Sequence, residues 1–155
     1  MAFEVVTRPA QTLCGKMWEG SYDAAAAGHV KEFIADMERL RSRLAAGHEG
    51  EASGLVGISF NDIPGGFRYL VALPPQLAPR SGLALSAFSF PSMRFAAVWH
   101  EAADGDVFAH YERMFAWIEA QGLRRVTDVC HHREEYPPQP DLHAPPRLRL
   151  MTPVA

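Results

Sequence analysis

Glu134 and Tyr136 stand two residues apart in Val129-Cys130-His131-His132-Arg133-Glu134-Glu135-Tyr136, the most charged stretch of the chain that still has the composition of a β-strand. In extended backbone His132, Glu134 and Tyr136 share one side, and His131, Arg133 and Glu135 share the other. A carboxylate in the middle of a sheet is costly to bury unless something positive or hydrogen-bonding meets it. A cationic ligand is one partner that satisfies Glu134, with Tyr136, Trp18 and other aromatic residues offering π-faces to a delocalised charge. Two plainer readings stand beside it: an edge strand with solvated charges, since most charged residues are exposed, or pairing of Glu134 with Arg94 or Lys16.

Other chemistries find less support. His131 and His132, with His100, His143 and Cys130, are the right residue types for a metal, but adjacent histidines on a strand point to opposite faces and no pair has zinc-site spacing. No metal and no cofactor are therefore expected. The serines lack the Gly-x-Ser-x-Gly context of a nucleophile elbow, and neither cysteine has an evident base. Gly65-Gly66 reads as a turn rather than a phosphate loop, because no helix with a basic residue follows it. Of the aromatic stripe Phe108, Tyr111 and Phe115, a pattern more often found in a core, only Tyr111 carries a hydroxyl that needs a partner.

The elements that must position these groups come twice. Placing residues 9–19 over residues 91–101 sets Pro9 on Pro91 and Glu19 on Glu101, and the same offset sets His29 on Tyr111 and Phe33 on Phe115. A duplicated unit implies a pseudo-twofold axis, and two related halves commonly leave a groove where they meet. At 155 residues one domain is expected, with repeat one over about 1–74, a linker over 75–83 and repeat two over 84–155. A net charge of −3 with dispersed basic residues disfavours a nucleic-acid partner. Cys14 and Cys130, far apart in apolar surroundings, suit a reduced compartment. With no basic, apolar leader and no apolar run of membrane-spanning length, a cytoplasmic protein without membrane partners is expected.

Periodicity predicts α and β elements in two successive β-α-β-β units, an α+β class with two helices. Strands are expected over Phe3–Thr7 and Thr12–Trp18, broken at Arg8-Pro9. From Ala24 to Leu44, Val30, Phe33, Ile34, Met37, Leu40 and Leu44 recur at helical steps and predict a single helix. Beyond a break at 47–54, strands over 55–60 and 67–73 join through a turn-rich connection. The second unit repeats the order with strands over 85–90 and 93–100 and a helix from Asp104 or Asp106 to Gly122, its stripe being Val107, Phe108, Tyr111, Met114, Phe115 and Ile118. Strands over 126–136 and 148–154 close the chain, separated by a loop over 137–146 that its prolines keep extended. In the first two paired strands, Leu13, Gly15 and Met17 match Phe95, Ala97 and Trp99. That set is expected against the helices, which would turn Trp18 and His100 toward a cleft.

Together, the doubled β-α-β-β order, Glu19-Gly20-Ser21-Tyr22, Gly57-Ile58-Ser59-Phe60-Asn61-Asp62 followed by Phe67-Arg68-Tyr69-Leu70-Val71, Trp99-His100-Glu101, Glu134-x-Tyr136 and the closing Arg149-Leu150-Met151-Thr152-Pro153-Val154 resemble the GyrI-like effector-binding domain. The phrase Gly-Ile-Ser-Phe-Asn most resembles its stand-alone, integron-associated members. The resemblance implies a tandem of the two units in a curved antiparallel sheet or barrel, with an aromatic-lined cleft that binds amphipathic, often cationic aromatic molecules, as in multidrug binding, and a glutamate of the penultimate strand as charge partner. Glu134 occupies that position. Many members are the sensing module of a transcription regulator, others are gyrase inhibitors, and some stand-alone members hydrolyse strained cyclopropane toxins with a cleft glutamate. This chain departs from the pattern in lacking a glycine after Trp99-His100 and in carrying Glu135 beside Glu134.

The expectation is a binder of a lipophilic aromatic cation, with Glu134 as counter-charge and Trp18, Tyr22, Phe60, Tyr69, Trp99, Tyr111 and Tyr136 as its aromatic lining. His100 and His132 are secondary polar contacts. Hydrolysis of an electrophilic ligand in the same cleft is the enzymatic alternative, and a gyrase-type or regulatory protein partner is the third reading.

Overall fold

Turn glycines and alternating apolar residues lay out the elements in the order β1 (Glu4–Arg8), β2 (Gln11–Ser21), α1 (Tyr22–Ala26), α2 (His29–Leu44), β3 (Val56–Ile63), β4 (Gly66–Leu73), β5 (Ser86–Phe90), β6 (Met93–His100), α3 (Val107–Ala120), β7 (His132–Glu135) and β8 (Leu148–Pro153). The structure is a computed structural model that describes residues 2–47, 53–138, 144–145 and 147–155. Parts of the expected breaks at 47–54 and 137–146, and His143, lie outside the described residues.

The strands form one antiparallel sheet, curled into a half-barrel, in the order β1-β6-β8-β7-β3-β4-β2-β5. The α+β class and curved sheet are those expected. Ser86, Met93 and Leu148, which open β5, β6 and β8, each lie 82 residues after Glu4, Gln11 and Gly66, which open β1, β2 and β4. The sheet order is symmetric under the same correspondence. β1 pairs with β6, β5 pairs with β2, and β3 meets β7 at the centre.

Three local expectations change. The helix expected over Ala24–Leu44 is two helices, because Gly28 adopts a φ of 97°, a left-handed conformation that interrupts the α-helical path and that glycine reaches without penalty. Ser21 caps the additional helix α1, its Oγ accepting from the Ala24 N–H at 3.0 Å. The last long strand is shortened to His132–Glu135. Residues before it bond outside the ladder, Val126 N–H to the Pro153 carbonyl and His131 N–H to the Ser59 carbonyl. Phe108 is 75% exposed, because Val107, Tyr111, Met114 and Ile118 already define the buried stripe of α3 and each further residue turns 100° away. Asp106 caps that helix, accepting from the Ala109 N–H at 3.3 Å.

Both helices pack on one face of the sheet. Ala96, Val98 and Leu150 meet Tyr111, Met114 and Ile118 of α3, while Val71 and Leu73 meet Met37 and Phe33 of α2. The opposite face buries Leu13, Ile58, Leu70 and Phe90, and beside them Phe95, Ala97 and Met151. This reverses the expected orientation: the Leu13 and Phe95 sets face away from the helices. Curling buries both faces, so alternation alone did not distinguish them. Among the described residues no helix is long and apolar enough to cross a membrane.

Candidate functional site

Glu134 sits on β7 at the centre of the sheet, opposite Gly57 of β3 on one side and Leu150 of β8 on the other, and it faces the helices. Three tyrosines from three other positions converge on it. Tyr69 of β4 reaches across β3 and donates to Glu134 Oε1 at 2.7 Å. It can do so because Gly57 has no side chain; a Cβ there would stand 1.9 Å from the Tyr69 hydroxyl. Tyr111 of α3 donates to Oε2 at 2.9 Å. The Tyr136 hydroxyl, just beyond β7, lies 2.9 Å from that of Tyr69 and 3.3 Å from Oε1. Each phenol has one proton, so Tyr69 and Tyr111 serve the carboxylate while Tyr136 bonds best to the Tyr69 oxygen. Burial, and next the Glu134 charge, push Tyr69 and Tyr111 well above the ordinary phenol range, and the same two causes act on Tyr136. All three therefore remain protonated at neutral pH.

A cleft of about 300 Å³ opens above this cluster between α2 and α3. Its walls are aliphatic, with Val30 and Ile34 from α2, Val107 from α3, and Leu55 and Leu148 from the sheet side; Lys31 and Glu38 of α2 also line it. Glu38 accepts from Arg41 Nε at 2.8 Å, one helical turn on, in a pair that is almost wholly buried. The Val30–Ile34 stripe read from sequence as a core face is thus also a cleft wall.

His132 supports the cluster from the side. Its ring packs 4.3 Å from that of Tyr111, and its Nδ1 is 3.3 Å from Thr152 Oγ1. Burial pushes its pKa down to about 4, leaving a neutral ring. Glu135, one residue on, faces the other side, where Arg8 grips it with two bonds of 2.8 Å and Arg133 adds a third. Burial opposes its charge, but the two guanidinium groups outweigh burial and hold the carboxyl below the usual range. Among the described residues, Glu134 takes its hydrogen bonds from tyrosines, not from Arg94 or Lys16.

The remaining residues singled out in the sequence lie elsewhere. Trp18 packs on Phe67 at 5.3 Å, on the helix-bearing face but beyond the cleft wall. Tyr22 also stacks on Phe67, at 5.4 Å, and is 49% exposed. Phe60 stacks with Phe90 on the opposite face, under the Arg68 guanidinium. Trp99 shares that opposite face with Arg149 and Glu135, with Arg147 lying 4.1 Å from its ring centre. His100 is buried at the end of β6, its Nδ1 2.7 Å from Nδ1 of His110 on α3. Aromatic type marks stackable residues but does not encode the sheet face they occupy.

A carboxylate fed by phenols at the base of an apolar cleft, on a symmetric eight-stranded sheet, agrees with a profile match: the GyrI-like small molecule binding domain covers residues 1–154. The chain belongs to this family. A search of curated proteins finds no match to the sequence. Among solved structures with a similar fold, SAV2435 bound to tetraphenylphosphonium is 14% identical with a TM-score of 0.65, covering 100% of this chain and 94% of its own. The integron cassette protein VCH_CASS2 from the mobile metagenome of Vibrio cholerae is 12% identical with a TM-score of 0.56, covering 99% and 95%. A hydrolase from Listeria innocua is 13% identical with a TM-score of 0.57, covering 99% and 91%. At these identities the likeness is one of fold.

Proposed function

We propose that this GyrI-like domain binds lipophilic aromatic cations in the cleft between α2 and α3, with Glu134 as the counter-charge. The observation that carries the reading is the convergence of three neutral phenols on one carboxylate under aliphatic walls. The phenols orient the carboxylate and partly offset its burial, yet none of them carries positive charge. A cation that enters the cleft supplies that charge where the dielectric is low and the Coulomb energy per contact is large. The tyrosine rings add π-faces. A relative with this fold is known with tetraphenylphosphonium bound, a molecule of the expected class.

Calorimetric titration with tetraphenylphosphonium and with neutral triphenylphosphine oxide, on the native chain and on Glu134→Gln, tests the proposal. The expected result is a loss of tenfold or more for the cation in the variant, about 1.4 kcal/mol, with little change for the neutral compound. Equal losses for both ligands overturn it.

The same geometry favours one second reading, hydrolysis, because a carboxylate held by phenols can orient water toward an electrophilic ligand, and a relative of this fold is described as a hydrolase. Recovery of the compound as a water adduct in mass spectrometry separates turnover from binding.

A further inference from the structure

We propose that His100, Asp104 and His110 form a second site, independent of the cleft, that binds one zinc-type divalent transition-metal ion. The three side chains come from three successive elements: the end of β6, the short 3-10 turn Ala102–Asp104, and the first turns of α3. Their ligand atoms lie within 4.8 Å of one another. Along the sequence they form a His-x3-Asp-x5-His pattern. The histidines that draw attention in the sequence, His131 and His132, point to opposite faces; the pair that meets is His100 with His110.

Three features fit an ion. The first is the approach of two ring nitrogens of the same kind, Nδ1 to Nδ1 at 2.7 Å, with the rings only 4% and 3% exposed. Without an ion, this contact requires one ring to carry its proton on Nδ1 and the other to leave Nδ1 bare. An ion instead takes both lone pairs and leaves both protons on Nε2. In a zinc tetrahedron with Zn–N of roughly 2.0–2.1 Å the two nitrogens stand roughly 3.3 Å apart, so the pair needs to open by only about 0.6 Å.

The second feature is the placement of Asp104. Its Oδ2 accepts from the Glu101 N–H at 2.8 Å, one half of a capping box whose other half is the Glu101 side chain on the Asp104 N–H. The carboxylate is thereby held in place before any ion arrives, with one of its oxygens within 4.8 Å of the imidazole ligand atoms. The third is the composition of the set. Two imidazoles and one carboxylate suit zinc, cobalt, nickel or copper and not the all-oxygen preference of magnesium or calcium. Three protein ligands leave a coordination position for water, and the half-buried Asp104 provides the entry side. Arg113, a nearby cation, is engaged with the Asp104 backbone carbonyl at 3.1 Å. Tyr111 follows His110 directly but turns to Glu134, so the two sites use different sides of α3.

The test is calorimetric titration of chelator-treated full-length protein with zinc chloride, alongside cobalt chloride followed by visible absorption. One zinc per chain is expected, with affinity at least tenfold weaker in both His110→Gln and Asp104→Asn and unchanged in His29→Gln, an exposed control. The cobalt d–d bands should vanish in the same two variants. Circular dichroism shows whether each variant is folded; if His110→Gln is not, Asp104→Asn at the half-exposed position, which keeps an oxygen for the Glu101 N–H, carries the test. Absence of stoichiometric zinc binding, or binding that survives in a folded His110→Gln or Asp104→Asn, overturns the proposal and leaves a histidine–histidine hydrogen bond that joins α3 to the sheet.

Discussion

Glu134 and Glu135 are neighbours of the same ionic class with opposite surroundings: one meets three phenols under a cleft, the other two guanidinium groups on the far face. At this scale His132 offers a pH test. Its folded value of about 4 lies below the unfolded value of about 6.5, so the unfolded chain binds the extra proton first. The neutral ring contributes its stability in full above pH 6.5 and loses it as pH falls from 6.5 toward 4. At pH 4.5 the loss from this group is about 2 to 3 kcal/mol. Urea unfolding of the native protein at pH 7 and 4.5 should show that loss, and His132→Gln, which keeps a bonding group for Thr152, should show correspondingly less. Parallel losses in the two proteins would mean that His132 is not the group responsible.

Strand β3 shows what an element contributes beyond its length. Its central position opposite Glu134 is a glycine, and the lane this leaves is what Tyr69 occupies on its way to the carboxylate. Gly57→Ala places a methyl group where the Tyr69 hydroxyl now stands, and relief of such overpacking typically costs about 1–3 kcal/mol. Thermal unfolding should therefore shift downward, and the folded variant should bind tetraphenylphosphonium more weakly because Oε1 loses its closest donor. A variant with native melting temperature and native affinity would show that Tyr69 has another route to Glu134. In the sequence Gly57 read only as part of a strand phrase, since nothing local reveals which cross-strand side chain must pass over a residue. Gly28 is comparable: it lies between an alanine run and the apolar stripe with nothing local to show that its positive φ divides α1 from α2.

For the whole molecule, the exchange of edge strands binds the two halves together. β1 completes the sheet beside β6, β5 does so beside β2, and the central β3–β7 pairing lies directly under the cleft. A fragment of residues 1–74 has no partner for β1 and leaves β2 and β3 paired on one side only, each with β4, and a fragment of residues 84–155 lacks the reciprocal partners. Each is expected to be unfolded alone by circular dichroism, and the two are expected to regain native-like β signal when mixed, with a one-to-one complex in native mass spectrometry. Independent folding of either fragment would contradict a single shared core. The cleft depends on this arrangement, because its walls come from α2 of one half and α3 of the other.

The sequence by itself determined the α+β class, the doubled strand-helix order, the placement of the two long helices, the family resemblance and the interest of Glu134 with Tyr69, Tyr111 and Tyr136. Those features rest on local periodicity, turn residues and motif order, which are properties of contiguous chain. Tertiary structure decided the rest. It placed Phe60 and Trp99 on the face away from the cleft, turned Trp18 onto Phe67, made a cleft wall of Val30 and Ile34, and brought His100 to His110. Alternation assigns residues to two sides of a strand, but when a curled sheet buries both sides, only the pairing of distant strands and the seating of the helices determine which side becomes the site.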